Sequence, residues 1–234
     1  MESLKEQSKN MHIKKNETLY ISTILTIIAS FLMGFIDAYT FLQQDEVFAS
    51  AQTGNLVSLS SKLFSGEWKE TMSHVWAFGG FLIGAFAGEA VMDRYQDKGL
   101  IRYRYYLLIQ TVLLLVLALF QDQFTGALMI FSLGTLAGYE LTIFRKFRGT
   151  VVNNGIMTGN TKNLMSHLYQ LVFKNDSKAK DHLANLAATV LIFMLGAGAG
   201  TLTIRYHASY NLWAAFAISF LAFAWATVRP LRDS

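Results

Sequence analysis

An all-α integral membrane protein is the fold class this sequence predicts: about six transmembrane helices in two inverted three-helix repeats, each with a re-entrant half-helix at Thr-Gly-Asn. Three observations lead there. The 234 residues are 53% hydrophobic and only 15% charged, against about 25% charged in an ordinary soluble domain. The apolar residues fall in blocks of about 20, the length that crosses a hydrocarbon core of about 30 Å. The tripeptide Thr-Gly-Asn occurs twice, at Thr53-Gly54-Asn55 and Thr158-Gly159-Asn160, 105 residues apart.

The polar leader, residues 1–18, holds Lys5, Lys9, Lys14 and Lys15. The first block, Leu19 to Leu42, is interrupted by Asp37 and small polar residues, and the following Phe41-Leu42-Gln43-Gln44-Asp45 offers no small-residue cleavage site. A retained anchor is predicted rather than a signal peptide. Further blocks are Val75 to Met92, Tyr105 to Phe120, Phe124 to Phe144, Leu183 to Ile204 and Leu212 to Val228. The organisation expected is a cytoplasmic leader (1–18), a first repeat (19–120), a second repeat (121–228) and a cytoplasmic tail (229–234).

Charge tests that count, because short loops rich in Lys and Arg stay in the cytoplasm. With the N-terminus inside, every Lys and Arg except Lys62, Lys69 and Arg205 falls on the cytoplasmic side. Two moderately apolar segments, Val47 to Phe64 and Thr150 to Phe173, carry too many polar residues to face lipid. If both crossed, the clusters at Arg94 to Arg104 and Arg145 to Arg148 would be forced outside. Each is therefore expected to enter and return on one side, which requires its backbone to line a cavity or be buried in protein.

The repeat extends beyond the tripeptide. Gly34 answers to Gly138, and Phe81-Leu82-Ile83-Gly84-Ala85-Phe86-Ala87-Gly88 answers to Phe193-Met194-Leu195-Gly196-Ala197-Gly198-Ala199-Gly200. Three spans per half is odd, so the second half runs through the membrane in the opposite sense. The Gly84/Gly88 and Gly196/Gly200 pairs are small-xxx-small patterns and are read as close helix contacts.

A half-helix from Thr53 to Phe64 would span about 18 Å, beginning near the membrane midplane with its free amides pointing inward. Such amides suit a carboxylate, a carbonyl or another electronegative group. The substrate-binding candidates are Thr53, Gly54, Asn55, Thr158, Gly159 and Asn160; the competing reading is that small and polar residues glue helices without binding anything. Asp37 and Glu140, ionisable residues inside apolar blocks, are candidates for gating or coupling. By topology they lie toward opposite surfaces, and the plain alternative for Glu140 is an ion pair with Arg145 or Lys146.

With no cysteine, disulfide scaffolds, thiolate metal sites and cysteine nucleophiles are excluded. The five histidines are scattered without metal spacing, and no Walker loop, dinucleotide fingerprint or nucleophile elbow is present. No enzyme activity, metal or cofactor is expected. The basic residues sit at the ends of apolar blocks, which argues against nucleic acid as a partner. Expected partners are a small-molecule solute and the lipid bilayer; the small-residue faces would serve a homodimer as well as contacts within one chain.

At Gly34-Phe35-Ile36-Asp37-Ala38-Tyr39-Thr40-Phe41-Leu42, at Val47-Phe48-Ala49-Ser50-Ala51-Gln52-Thr53-Gly54-Asn55 and at Met157-Thr158-Gly159-Asn160, the sequence resembles the YoaK family. The resemblance implies a small multi-pass protein of the bacterial cytoplasmic (inner) membrane, with permease activity as the usual assignment and no substrate. Where that family's second half reads Gly-x-Gln-Asn-Ala, this chain has Gly138-Tyr139-Glu140-Leu141-Thr142. The function expected is a secondary permease or facilitator for a small polar solute, anions included, bound between the two Thr-Gly-Asn half-helices. The alternatives are a channel-like pore and a non-transporting scaffold or accessory subunit.

Overall fold

The computed structural model describes residues 2–229, with side chains from Asn16 onward. Its helices are α1 (Glu2–Gln43), α2 (Gln52–Phe64), α3 (Trp68–Tyr95), α4 (Arg102–Phe120), α5 (Gly126–Ile143), α6 (Met157–Lys174), α7 (Ala179–Tyr206) and α8 (Ser209–Val228). Each apolar block of the sequence is the heart of a helix that continues one turn or more into its polar flanks, or stops slightly short of the block. The tail, 230–234, lies outside the described residues.

Five helical stretches among the described residues are long and apolar enough to cross a membrane. One of them, Trp68–Phe120, has 53 residues, about 80 Å if straight, far longer than a bilayer core. It is broken by a 3-10 turn, Gln96–Ile101, in which Gly99 has φ 55° and ψ −133°, a conformation open essentially to glycine. The break separates α3 from α4.

Glycines set the packing. A Cβ on Gly34 of α1 would overlap the Phe193 carbonyl of α7, and Cβ atoms on Gly196 and Gly200 would overlap the carbonyls of Phe31 and Phe35. The same contact recurs between α3 and α5, where Gly138 faces the Phe81 carbonyl, Gly84 that of Thr135 and Gly80 that of Phe131. Only helices with no side chain at these points can bring their backbones so close. In both pairs the contacts advance along the two helices together, so α1 runs parallel to α7 and α3 parallel to α5. Helices α4 and α8 pack antiparallel, with Arg104 donating to the Ala226 and Arg229 carbonyls at one end and Thr111 meeting Ser219 at 2.8 Å further along.

A hairpin absent from the sequence expectations joins α5 to α6. Strands β1 (Lys146–Phe147) and β2 (Thr150–Val151) pair antiparallel around Arg148 and Gly149, both at positive φ (47° and 79°), as a type I′ turn requires. Thr26 of α1 donates to the Lys146 carbonyl at 2.9 Å, and the Arg148 amide donates to Thr23. The main core lies between these helices, with Leu32, Met33, Ile36, Leu114, Leu117, Leu133 and Leu136 fully buried.

Candidate functional site

The two Thr-Gly-Asn segments lie in the first turns of α2 and α6, helices of 13 and 18 residues. Helix α2 begins at Gln52 after Ala51, and α6 at Met157 after Ile156; neither has a side-chain cap. Asn55 instead reaches back seven residues: its Oδ1 accepts from the Phe48 amide at 3.1 Å and its Nδ2 donates to the Phe48 carbonyl at 2.6 Å. Asn160 does the same to Asn153, at 3.0 and 2.7 Å. One amide side chain thus satisfies both polar groups of one residue in the incoming loop. Both asparagines are buried, at 1% and 0% exposure.

Asp37 is drawn into this loop. The Ser50 amide donates to its Oδ1 at 2.9 Å, and the Ser50 hydroxyl donates to its Oδ2. That hydroxyl also lies 3.0 Å from the Gly155 carbonyl. A hydroxyl carries one proton, so Ser50 donates to Asp37 or to Gly155 but not to both at once. Gly155 is required here, since a Cβ on it would collide with the Ser50 side chain. Asp37, Ser50 and Gly155 therefore tie α1 and the loops before α2 and α6 together at one point.

Beside that point lies a cavity of about 480 Å³. Helix α1 lines it with Asp37, Ala38, Phe41 and Leu42, the loop before α2 with Phe48 and Ala51, the start of α6 with Gly155, Met157 and Thr158, and α7 with Phe193, Ala197 and Thr201. Among these residues Asp37 is the one ionisable side chain. Phe41 and Phe48 are stacked, with ring centroids 5.1 Å apart. The size falls within the range of small-molecule sites.

Of the eight residues singled out in the sequence, the structure brings Asp37 and Thr158 to this cavity. The amides of Asn55 and Asn160 are spent on the backbone, while Thr53 is exposed and is not one of the residues that line the cavity. Glu140 does not line it; it is wholly buried in α5, and among the described residues neither carboxyl oxygen has a hydrogen-bond partner. The ion pair considered for Glu140 does not form; Arg145 approaches Glu89 instead, at 4.0 Å. Sequence reasoning missed Ser50, Phe41, Phe48 and Phe193. Ser50 stands 105 residues before Gly155, so the repeat offset already paired the two positions.

A second cavity of about 400 Å³ has a different character, with Glu89, Asp93, Arg102, Arg145 and Lys146 among its lining residues. By the repeat offsets, Glu89, Arg145 and Lys146 are the counterparts of Thr201, Phe41 and Leu42 of the first cavity.

The family model described as "Protein of unknown function (DUF1275)" matches residues 25–225. No curated protein and no solved structure matches the chain.

Proposed function

We propose, for a chain that belongs to the DUF1275 family of uncharacterised proteins, that it is a non-enzymatic permease or facilitator of the bacterial cytoplasmic membrane that carries a small solute through the cavity beside Asp37. The observation that carries this reading is the position of that cavity, where the loops leading into both short helices meet a buried carboxyl group. Transporters built from inverted repeats hold their substrates at such a junction of discontinuous helices.

Six spans in two inverted halves, with α2 and α6 re-entrant, account for the parallel pairings. If both termini are cytoplasmic, α1, α4 and α7 rise while α3, α5 and α8 descend; α1 and α7 then run parallel, α3 and α5 run parallel, and α4 opposes α8. A single span over Trp68–Phe120 would set α1 against α7. In the six-span frame the Asp37 cavity opens outward, and the Glu89–Arg145 cavity lies on the basic, cytoplasmic side. Rocking of the α1–α7 pair against the α3–α5 pair would exchange access between the two.

The chain has no cysteine, so single cysteines at Ala51 and Met157, which line the outer cavity, and at Met92 and Ile143, which line the second, can be labelled with an impermeant thiol reagent. The first two are expected to react from outside and the other two from the cytoplasm. Saturable uptake with counterflow in proteoliposomes is the functional readout. Labelling of all four from one face would overturn the inverted arrangement, and ohmic current in place of saturable flux would make the protein a channel.

A further inference from the structure

The cavity beside Asp37 has a chemical character that the sequence expectation of a polar or anionic solute did not anticipate. Its walls are mostly apolar and aromatic, with Phe41, Phe48, Phe193 and Met157 beside the hydroxyls of Thr158 and Thr201, and among the described residues no lysine, arginine or histidine lines it. Asp37 carries a full negative charge when ionised. The starts of α2 and α6 each contribute at most about half a positive charge, so the carboxylate is the one full charge lining the cavity among the described residues. Ser50 supplies two donors to Asp37, and a carboxylate has about four lone-pair sites, which leaves room for donors from a ligand.

We propose that this cavity takes a small organic cation with an apolar body, its charge at Asp37 and its body against Phe41, Phe48 and Phe193. The assignment rests on the permease reading for its transport meaning but not for its binding chemistry. An anion entering here would meet Asp37 with no base to receive it, and a strongly polar neutral solute would leave most of its hydrogen-bonding groups against hydrocarbon. A cation with an aromatic or alkyl body gains at both ends, since ring faces attract cations within about 6 Å. The second cavity, with acids and bases intermixed, selects no charge and serves an inner vestibule better than a binding site.

Three probes of nearly equal shape separate the possibilities: phenethylamine, which is a cation at neutral pH, 2-phenylethanol, which is neutral, and phenylacetate, an anion. Calorimetric titration of the purified full chain in detergent should show the amine binding roughly ten-fold or more tightly than the alcohol, with no binding of phenylacetate. Asp37→Asn keeps the shape and can still pair with Ser50; it should abolish the preference for the amine. Thr201→Phe fills the cavity from the α7 side and should remove binding of both amine and alcohol. Equal or tighter binding of phenylacetate, an undiminished amine preference in Asp37→Asn protein that elutes as folded, or no binding of any probe overturns the proposal. Counterflow of the same probes in proteoliposomes is scored separately. Amine binding without flux would remove the permease reading and leave the cation site standing, whereas phenylacetate flux would do the reverse.

Discussion

Ser50 Oγ lies 3.0 Å from the carbonyl oxygen of Gly155, the residue that occupies the same place in the other half of the chain, 105 positions on. Each half therefore brings its loop to the same point, but with different chemistry. In the first half Asp37 grips Ser50 through both carboxyl oxygens. In the second, Leu141 stands at the position of Asp37 and its side chain lies near Gly155. The two loops meet at one point, and only the first brings a carboxyl group to it.

Ser50→Ala removes the one side-chain donor to Asp37 and leaves the backbone bond. A loss of about 1–3 kcal/mol is expected from the stranded carboxyl oxygen, measured as a lower unfolding midpoint in detergent. Gly155→Ala should be worse, because its Cβ would meet Ser50. The double variant Ser50→Gly/Gly155→Ala should recover part of that loss; no recovery would mean that the contact at Ser50 is not what excludes a side chain at position 155.

Asn55→Ala and Asn160→Ala each leave an amide and a carbonyl of the incoming loop without partners. Both should cost stability, each by about 2 kcal/mol or more, and by similar amounts since the two brackets match. Denaturant titration of the two variants decides it. Unchanged stability with lost solute flux would return these residues to the binding role that the sequence suggested.

The glycine contacts make a paired prediction. Gly84→Ala and Gly196→Ala press a methyl group into facing carbonyls and should each destabilise the fold by about 1–3 kcal/mol. Gly79→Ala and Gly198→Ala meet nothing within 4 Å and should be neutral or gain up to about 1 kcal/mol from helix propensity. Thermal unfolding of the four proteins would show whether the distinction holds.

Glu140 is buried with both oxygens unpartnered, and its counterpart in the first half is the apolar Ile36, also buried. Replacing a buried group that lacks partners by a hydrocarbon side chain often stabilises. Glu140→Leu is therefore expected to raise the unfolding midpoint while leaving solute binding beside Asp37 unchanged. A large loss of stability would reveal a partner for the carboxyl group.

Much of this architecture is legible in the sequence because hydrophobic length and glycine spacing have one dominant meaning in a membrane chain. The apolar blocks became helices, and the repeated glycines at 84, 88, 196 and 200 became helix contacts. The pairing across halves was less accessible, since nothing local to Gly34 indicates that its partner is Phe193. Asn55 and Asn160 stand out in the sequence as polar residues among apolar ones, but an amide that binds a ligand and one that binds a backbone seven residues away carry the same letter. Phe48 and Phe41 gave no signal because aromatic residues are ordinary in a membrane protein; only their convergence beside Asp37 distinguishes them. The Lys146–Val151 hairpin was hidden by its length, as two residues per strand are too few for any alternation to be seen.

The exchange of helices between halves bears on how the protein is made. Helix α1 leaves the ribosome long before its close partner α7, which begins at Ala179, so more than a hundred residues are synthesised while the Phe31–Gly34 surface stays unmatched, although Ser50 is already at hand for Asp37. Neither half can complete its own glycine contacts, and a nascent chain halted before α7 would hold that glycine surface in the bilayer without its partner. The insertion machinery, or a quality-control protease that recognises such a helix, would encounter this protein as an unfinished substrate for most of its synthesis.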